Sequence, residues 1–302
     1  MDPAADTLFV LNPNAGNGKA GVLWAEIIQN HPWVRSSTIE SRSPRELITK
    51  LAEGIKEHTR RVVAVGGDGS AHHLINAVID SGFQSQIAVG LFPAGSGSDL
   101  RRNIGMPSGL GTEEVFRWIM RSEPKKAGLI KISTGDGSFR VVNICSVGIS
   151  AEVAQEVNSG LASSQKKYLS TAIQQLIKWQ GVECIYTAGA NKPAFSLFDL
   201  LLFANGSYFG NGIPIMPDAS VFSEELHVLM VKKQPLYKLL FALSLVPFGL
   251  HTQIPFIQKS LLSTAEIHTK GAAPLTMEAD GEIYTSPYFL IQKEVNAIRL
   301  LC

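Results

Sequence analysis

Three glycine-rich turns in the first third of the chain carry its most suggestive chemistry. They read Asn12-Pro13-Asn14-Ala15-Gly16-Asn17-Gly18, Gly66-Gly67-Asp68-Gly69-Ser70 and Pro93-Ala94-Gly95-Ser96-Gly97-Ser98-Asp99. Each follows a short apolar run that reads as a strand. Glycine lets a backbone approach a ligand closely and aim several N–H groups at an anion. Three such turns at matching strand ends imply a nucleotide phosphate site. In the second, Gly66 and Gly67 leave room at the strand end, and Asp68 can accept from water, a metal shell or a hydroxyl. Gly69 and Ser70 then open a helix whose N-terminal N–H groups and dipole favour phosphate. The plainer reading is a strand-to-helix turn capped by Ser70. In the third turn Asp99 is placed to hydrogen-bond a ribose or help hold phosphate; a Gly/Ser loop is the alternative. The first turn continues as Gly16-Asn17-Gly18-Lys19-Ala20-Gly21, which fits GxGxxG, with the acid Glu40 further on. Residues 12–15 separate its glycines from the strand, however, so the turn is wider than a dinucleotide fingerprint, and the GxxxxGK[ST] of a Walker loop is absent.

Positioning these turns requires strands alternating with helices. Residues 7–11, 62–65 and 87–92 read as buried strands. Helical spacing marks 20–29 (Val22, Leu23, Ile27 and Ile28 on the apolar side), 45–57 (opened by Ser43-Pro44), the stretch after Ser70 (Leu74, Ile75, Val78, Ile79) and 112–121 (Val115, Phe116, Ile119). This pattern predicts an α/β doubly wound sheet, in which ligands bind at the carboxyl ends of the strands. After about residue 128 the texture changes. A hairpin is expected across Gly135-Asp136-Gly137, then a helix over 165–179. Strands are expected over 184–188, 195–204, 226–231, 265–269 and 288–291. This half reads as mainly antiparallel. The expected domains are therefore 1–128, binding nucleotide, and 129–302, β-rich and holding the substrate, with return of the last strand to the first domain left open.

A chain of 302 residues favours two domains, and its 45% apolar content fills real cores. A net charge of +1 points to no nucleic-acid partner. Cys145, Cys184 and Cys302 form no CxxC, which fits a reducing compartment. The N-terminus has acid where a signal peptide has base. The longest apolar stretch, 239–250, contains Pro247 and falls short of a membrane span. A cytoplasmic protein, peripheral to a membrane, is expected.

In these residues the chain resembles the diacylglycerol kinase catalytic-domain family of lipid kinases, which includes bacterial diacylglycerol kinases and sphingosine and ceramide kinases and has an NAD kinase/phosphofructokinase-like fold. Its NPxSGxG and GGDGT turns look like Asn12 to Gly18 and Gly66 to Ser70, and its PxGTxND-FAR-LGIP segment looks like Pro93 to Pro107. In the second half, Asn143 to Gly148, Lys166-Lys167-Tyr168-Leu169, Asn205 to Gly212, Pro217-Asp218-Ala219 and Asp280-Gly281-Glu282 resemble its motifs in order. The resemblance implies ATP and Mg²⁺, a lipid substrate at a membrane surface, and transfer of the γ-phosphoryl group to a lipid hydroxyl, diacylglycerol or sphingoid in type; a homodimer is left open. It implies that Asn12, Gly16, Gly18, Gly66, Gly67, Asp68, Gly69, Ser70, Gly95, Ser96, Ser98 and Asp99 hold the nucleotide. Asp68 would serve a metal or the hydroxyl, and Asp280 or Glu282 would act as general base or metal partner. By the residues alone Asp280-Gly281 is a favoured hairpin turn. Asp68→Ala and Asp280→Ala are each expected to abolish transfer and leave the fold intact.

The pattern is imperfect. Ser98 replaces an asparagine, His72-His73 an Asn-Glu pair, and Ser150 an aspartate of some members. Ser223-Glu224-Glu225 lacks the glycine of a structural metal patch, so no metal is carried over there. Two further readings stay open: a catalytically degenerate member that binds nucleotide or lipid, and an NAD kinase relative. Residues 236–262 read as two amphipathic core helices, or as a face lining an acyl groove or resting on a membrane, with Lys232, Lys233, Lys238 and Lys259 near headgroups.

Overall fold

The computed structural model describes residues 6–94, 98–159, 165–271 and 273–302. By its internal contacts the chain divides into residues 1–127 with 296–302, and residues 128–295.

The first unit alternates strand and helix. Its elements are β1 (Thr7–Leu11), α1 (Lys19–Asn30), β2 (Thr38–Glu40), α2 (Pro44–Gly54), β3 (Arg61–Gly66), α3 (Asp68–Asp80), β4 (Ala88–Pro93), α4 (Asp99–Asn103) and α5 (Thr112–Arg121). The strands pair in parallel in the order β4-β3-β1-β2. The chain steps outward from β1 to β2, then crosses back to β3 on the other side of β1. The sheet therefore reverses direction between β1 and β3, the place where open α/β sheets bind ligands at their carboxyl ends. Valine-rich β3 is buried throughout, as a central parallel strand must be. Trp24, Phe9, Phe92 and Phe116 pack together around β1 and α1.

Helix α1 buries Ala20, Trp24 and Ile27 at successive turns, and Val22 is 72% exposed. The expected apolar side was displaced because Trp24, not its aliphatic neighbours, fills the space over β1. Ser43 caps α2 by accepting from the Glu46 N–H, with Pro44 in its first turn. Ser70 does not cap α3: the helix starts two residues earlier, with Gly67 at its N-cap.

The second unit is built from β5 (Pro124–Thr134), β6 (Gly137–Val141), β7 (Ile144–Gly148), α6 (Ile149–Ser159), α7 (Gln165–Lys178), β8 (Val182–Ala188), β9 (Ala194–Ala204), β10 (Leu226–Lys232), α8 (Leu236–Leu245), β11 (Ile257–Leu262), β12 (Thr264–Thr269), β13 (Leu275–Ala279), β14 (Glu282–Ser286) and β15 (Tyr288–Leu301). Its main sheet runs β14-β13-β7-β9-β8-β12-β15, with β10 and β11 extending from β9, and these pairings are antiparallel. Alternation along β9 sends Leu201 and Phe203 into one core and Leu202 and Ala204 into another beneath the helices, and a register irregularity at Asp199 brings Phe198 into the first. The last residues of β15 pair in parallel with β4 of the first unit, Arg299 beside Ala88.

Two elements differ from the sequence reading. Helix α6 follows the Asn143–Gly148 turn in a stretch for which no element was expected. Residues 236–262 form one helix, short 3₁₀ turns and strand β11, not two helices. Pro247, Gly249 and Pro255 break the second half, and Gln258 to Leu262 gain backbone partners from β10.

Candidate active site

The glycine turns meet at the switch point. Asn12 follows β1 and donates from Nδ2 to Ser70 Oγ on α3 at 3.3 Å, and its Oδ1 accepts from the Asn14 N–H. Its own N–H bonds the Val65 carbonyl of β3. The first turn runs through three consecutive left-handed residues, Gly16, Asn17 and Gly18, which explains the Gly-Asn-Gly sequence. The third turn is tied to the second by the Ala94 N–H on the Gly66 carbonyl and by Asp68. The Asp68 carboxylate accepts from the N–H groups of Asp99 at 2.8 Å and Leu100 at 3.0 Å, and from Ser98 Oγ at 3.4 Å. Ser98 in turn caps α4 through the Arg101 N–H. Asp99 is buried and lies 3.4 Å from Arg102. Gly95 and Ser96 lie outside the described residues.

Neither α1 nor α3 has a side-chain cap, and a Cβ at Gly18, Gly67 or Gly69 would meet nothing within 4 Å. These N-termini open onto unfilled space, where N–H groups and the helix dipole favour an anion. Gly66 has a different reason to be glycine: a Cβ there would lie 2.3 Å from Ser70 Oγ. A cavity of about 150 Å³ adjoins the switch point, lined by Asn12, Ser70, His73, Ser41, Arg42 and Ser43 among others. The 41–43 loop escaped sequence reading because nothing local shows that β2 ends beside β1. His72 is buried, and its ring meets His73 edge-on at 5.3 Å.

In the second unit, Asp280 and Gly281 form the two-residue turn between β13 and β14, both left-handed. The Asp280 carboxylate reaches across to residues 142–144 and accepts all three of their N–H groups at 2.6, 2.8 and 3.2 Å. The Asn143 carbonyl accepts from the N–H groups of Asn205 and Gly206, and the buried Asn205 amide donates to the carbonyls of Gly128 and Val142. Lys293 closes this knot by donating to Asn205 Oδ1. Three of the polar positions that carried the resemblance, Asn143, Asn205 and Asp280, thus bind one another through the 142–144 backbone. Glu282 begins β14 and is exposed. Glu278, fully buried one turn away, accepts from the Gly281 N–H and the Ser146 hydroxyl. Burial, with the Glu278 and Asp280 charges, pushes the Cys145 thiol well up, so it is no nucleophile.

A second cavity, of about 130 Å³ and almost wholly apolar, lies between the sheet and helices α6, α7 and α8. Leu202, Leu229 and Val231 form its floor, and Leu176, Leu239 and Phe209 stand over it. Buried Asp199 at its edge is held by Lys233 at 3.1 Å and the Gln234 N–H. Sequence reading missed Asp199, Glu278 and Lys293, whose charges sit in otherwise apolar or strand-like stretches. Tyr237, Phe241 and Phe248 are more than half exposed on and after α8. The side chains of Lys166 to Leu169 lie outside the described ones. Among the described residues no helix is long and apolar enough to cross a membrane.

An α/β sheet with glycine-rich turns at its switch point, followed by an antiparallel domain, defines a class: an NAD kinase-like fold. The family described as "Diacylglycerol kinase catalytic domain" matches residues 6–132, and "YegS C-terminal NAD kinase beta sandwich-like domain" matches residues 143–302. The chain belongs to this diacylglycerol kinase and YegS family of lipid kinases. It is 22% identical over 313 residues to "Putative lipid kinase YtlR" of Bacillus subtilis, covering 97% of this chain and 98% of that protein. It is 25% identical over 271 residues to "Probable lipid kinase YegS-like" of Xanthomonas campestris, covering 83% and 81%. A solved structure named "A putative diacylglycerol kinase from Bacillus anthracis str. Sterne" superposes with a TM-score of 0.78 at 18% identity, covering 98% of this chain and 96% of that one. At that identity the likeness speaks for the fold alone.

Proposed function

We propose that this chain is an ATP-dependent lipid kinase that moves the γ-phosphoryl group to a lipid hydroxyl of diacylglycerol or sphingoid type. The observation that carries the reading is the uncapped, open N-terminus of α3 at the switch point, stitched to the other two turns by Asn12 and Asp68. ATP, when bound, supplies the phosphoryl group. The N–H groups around Gly67, Gly69 and Gly18 hold its phosphates, and Ser41 to Ser43 border the adjoining space. Asp68 acts as a positioning residue, since its oxygens hold the third turn against the second. A divalent ion fits less well: among the described residues no cluster of three or more His, Cys, Asp or Glu could hold one. Mg²⁺ is commonly held by one or two carboxylates together with substrate phosphates; Asp68 is the carboxylate that would help hold it here, and the ion would neutralise charge on the transferring phosphoryl group.

In the second unit the apolar cavity takes the lipid chain. Glu282 is the general base that accepts the hydroxyl proton. It is the exposed carboxylate of the turn, whereas Asp280 is committed to three backbone N–H groups. Tyr237, Phe241 and Phe248 rest on the membrane surface. The test is incubation with labelled ATP, Mg²⁺ and a panel of diacylglycerol, monoacylglycerol, sphingosine, ceramide, phosphatidylglycerol, a polyprenol and, separately, NAD. A labelled lipid is the expected product. Label in NAD alone would make the protein an NAD kinase relative. ATP binding without product would make it a degenerate member.

A further inference from the structure

A single line of hydrogen bonds joins the ammonium of Lys293 to the carboxylate of Asp280. Lys293 Nζ donates to Asn205 Oδ1. The Asn205 amide, wholly buried, donates from Nδ2 to the Val142 carbonyl at 2.6 Å and to the Gly128 carbonyl at 2.8 Å. The Val142 carbonyl and the Asn143 N–H belong to one peptide group, and that N–H donates to Asp280 Oδ1 at 2.8 Å. The next peptide group repeats the pattern. Its Asn143 carbonyl accepts from the N–H groups of Asn205 and Gly206, and its Ile144 N–H donates to Asp280 Oδ1 at 3.2 Å. From Lys293 through the Asn205 side chain, every donor on the line points from the cation toward the anion, so each bond polarises the next. The Asp280 N–H bonds the Ile144 carbonyl in return, two residues before Glu282.

A Cβ at Gly128 would lie 2.7 Å from Lys293 Nζ, so the chain keeps glycine where the ammonium reaches its partner. Burial pushes that ammonium down to about 8, and a buried cation of this kind weakens the fold at neutral pH. Its place needs another reason. We infer that Lys293 is a positioning residue for phosphoryl transfer: through the Asn205 amide and the 142–144 peptides its charge sets the hold of Asp280 on that backbone, and with it the orientation of Glu282 in the same turn. This deepens the lipid-kinase reading and rests on it for the role of Glu282. Loss of the Lys293 proton replaces a charge-assisted hydrogen bond by a neutral one about half as strong. Transfer then falls as pH rises through about 8, while this site's contribution to stability rises over the same range. The signs are opposite, so a purely structural Lys293 would not produce the fall. Burial pushes Tyr284, on β14 beside the turn, up to about 12, and Cys145, on β7, well up. It pushes His227, on β10 and within the field of Lys293, below its ordinary value, with Glu225, Asp218 and Lys259 also acting on that ring. Glu294, next to Lys293 on β15, is held by Arg140 at 3.1 Å, with Lys131 at 4.0 Å.

The test is the pH profile of single-turnover transfer from labelled ATP to lipid, from about pH 6.5 to about pH 9.5, in the full-length wild type, Lys293→Met and Lys293→Arg. The backbone N–H resonances of Val142, Asn143 and Ile144 are followed by NMR over the same range. The wild-type rate is expected to fall at least about fivefold across the range. Lys293→Met is expected to be about tenfold slower at pH 7, without that fall and with KM for ATP unchanged. Lys293→Arg, charged throughout, recovers most of the rate and keeps it at alkaline pH. The three resonances shift with a midpoint near 8 in the wild type and stay still in Lys293→Met. A wild-type rate at pH 7 in folded Lys293→Met, the same alkaline fall in all three proteins, or resonances that do not titrate in the wild type would each overturn the proposal. If Lys293→Met does not fold, Lys293→Arg decides, and an alkaline fall equal to the wild type's overturns it. Titrating resonances with no phosphorylated lipid at any pH would sink the kinase reading alone and support the relay.

Discussion

At the scale of single residues, three carboxylates divide the work by their surroundings. Asp68 and Asp280 accept from backbone N–H groups of segments far away in sequence, and Glu282 stays exposed. Hydrogen bonds to a charged acceptor are worth about 1.5–3 kcal/mol each. Asp280→Ala leaves three N–H groups without their carboxylate, so it is expected to lower stability by about 2–5 kcal/mol, read as a lower denaturant midpoint. This revises the expectation that the variant would stay intact; an unchanged midpoint would contradict the clamp. Glu282→Gln is expected to keep the midpoint and lose transfer by at least about 100-fold. Lys293 gives a pH signature. Burial pushes its ammonium down to about 8, against about 10.4 in the unfolded chain. Between those values the unfolded chain binds more protons, so this site's contribution to stability rises with pH. The stability of the wild type relative to Lys293→Met should therefore shift in the wild type's favour from about pH 8 to about pH 10. A flat difference in denaturation across that range would refute it.

At the scale of elements, the strand-to-helix turns were legible because their signal is local: an apolar run, then glycine, then a helical period. Helix α5 was legible for the same reason, with Val115, Phe116 and Ile119 on one face. What was not legible depends on partners distant in the chain. Nothing near Asp280 announces residues 142–144, and nothing near Asn12 announces Ser70. β11 was hidden because an Ile- and Leu-rich run fits helix or strand until β10 supplies its backbone partners. The exposed face after β10 belongs to this scale too. Tyr237 and Phe241 on α8 and Phe248 in the turn after it keep large apolar surfaces in water, and such exposed apolar groups mark a candidate contact surface. Phe241→Asp with Phe248→Asp is expected to cut sedimentation with anionic phospholipid vesicles at least about fivefold and leave ATP binding unchanged. Equal sedimentation would remove the membrane role from this face.

At the scale of the whole molecule, the proposed transfer draws on both units. The first has open helix N-termini at a switch point; the second has an apolar cavity and a carboxylate turn. The order of motifs along the chain made the family visible. That Asp280 clamps the 142–144 backbone emerged only from the fold, because it depends on where the backbone donors are. The most direct test of the account is a single-turnover assay with γ-labelled ATP and a lipid acceptor, run on the wild type and on Glu282→Gln with ATP affinity measured in parallel. The account predicts labelled lipid from the wild type and a loss of at least about 100-fold in the variant at unchanged ATP affinity. Wild-type rates in Glu282→Gln, or ATP bound by both with no labelled lipid from either, would contradict it.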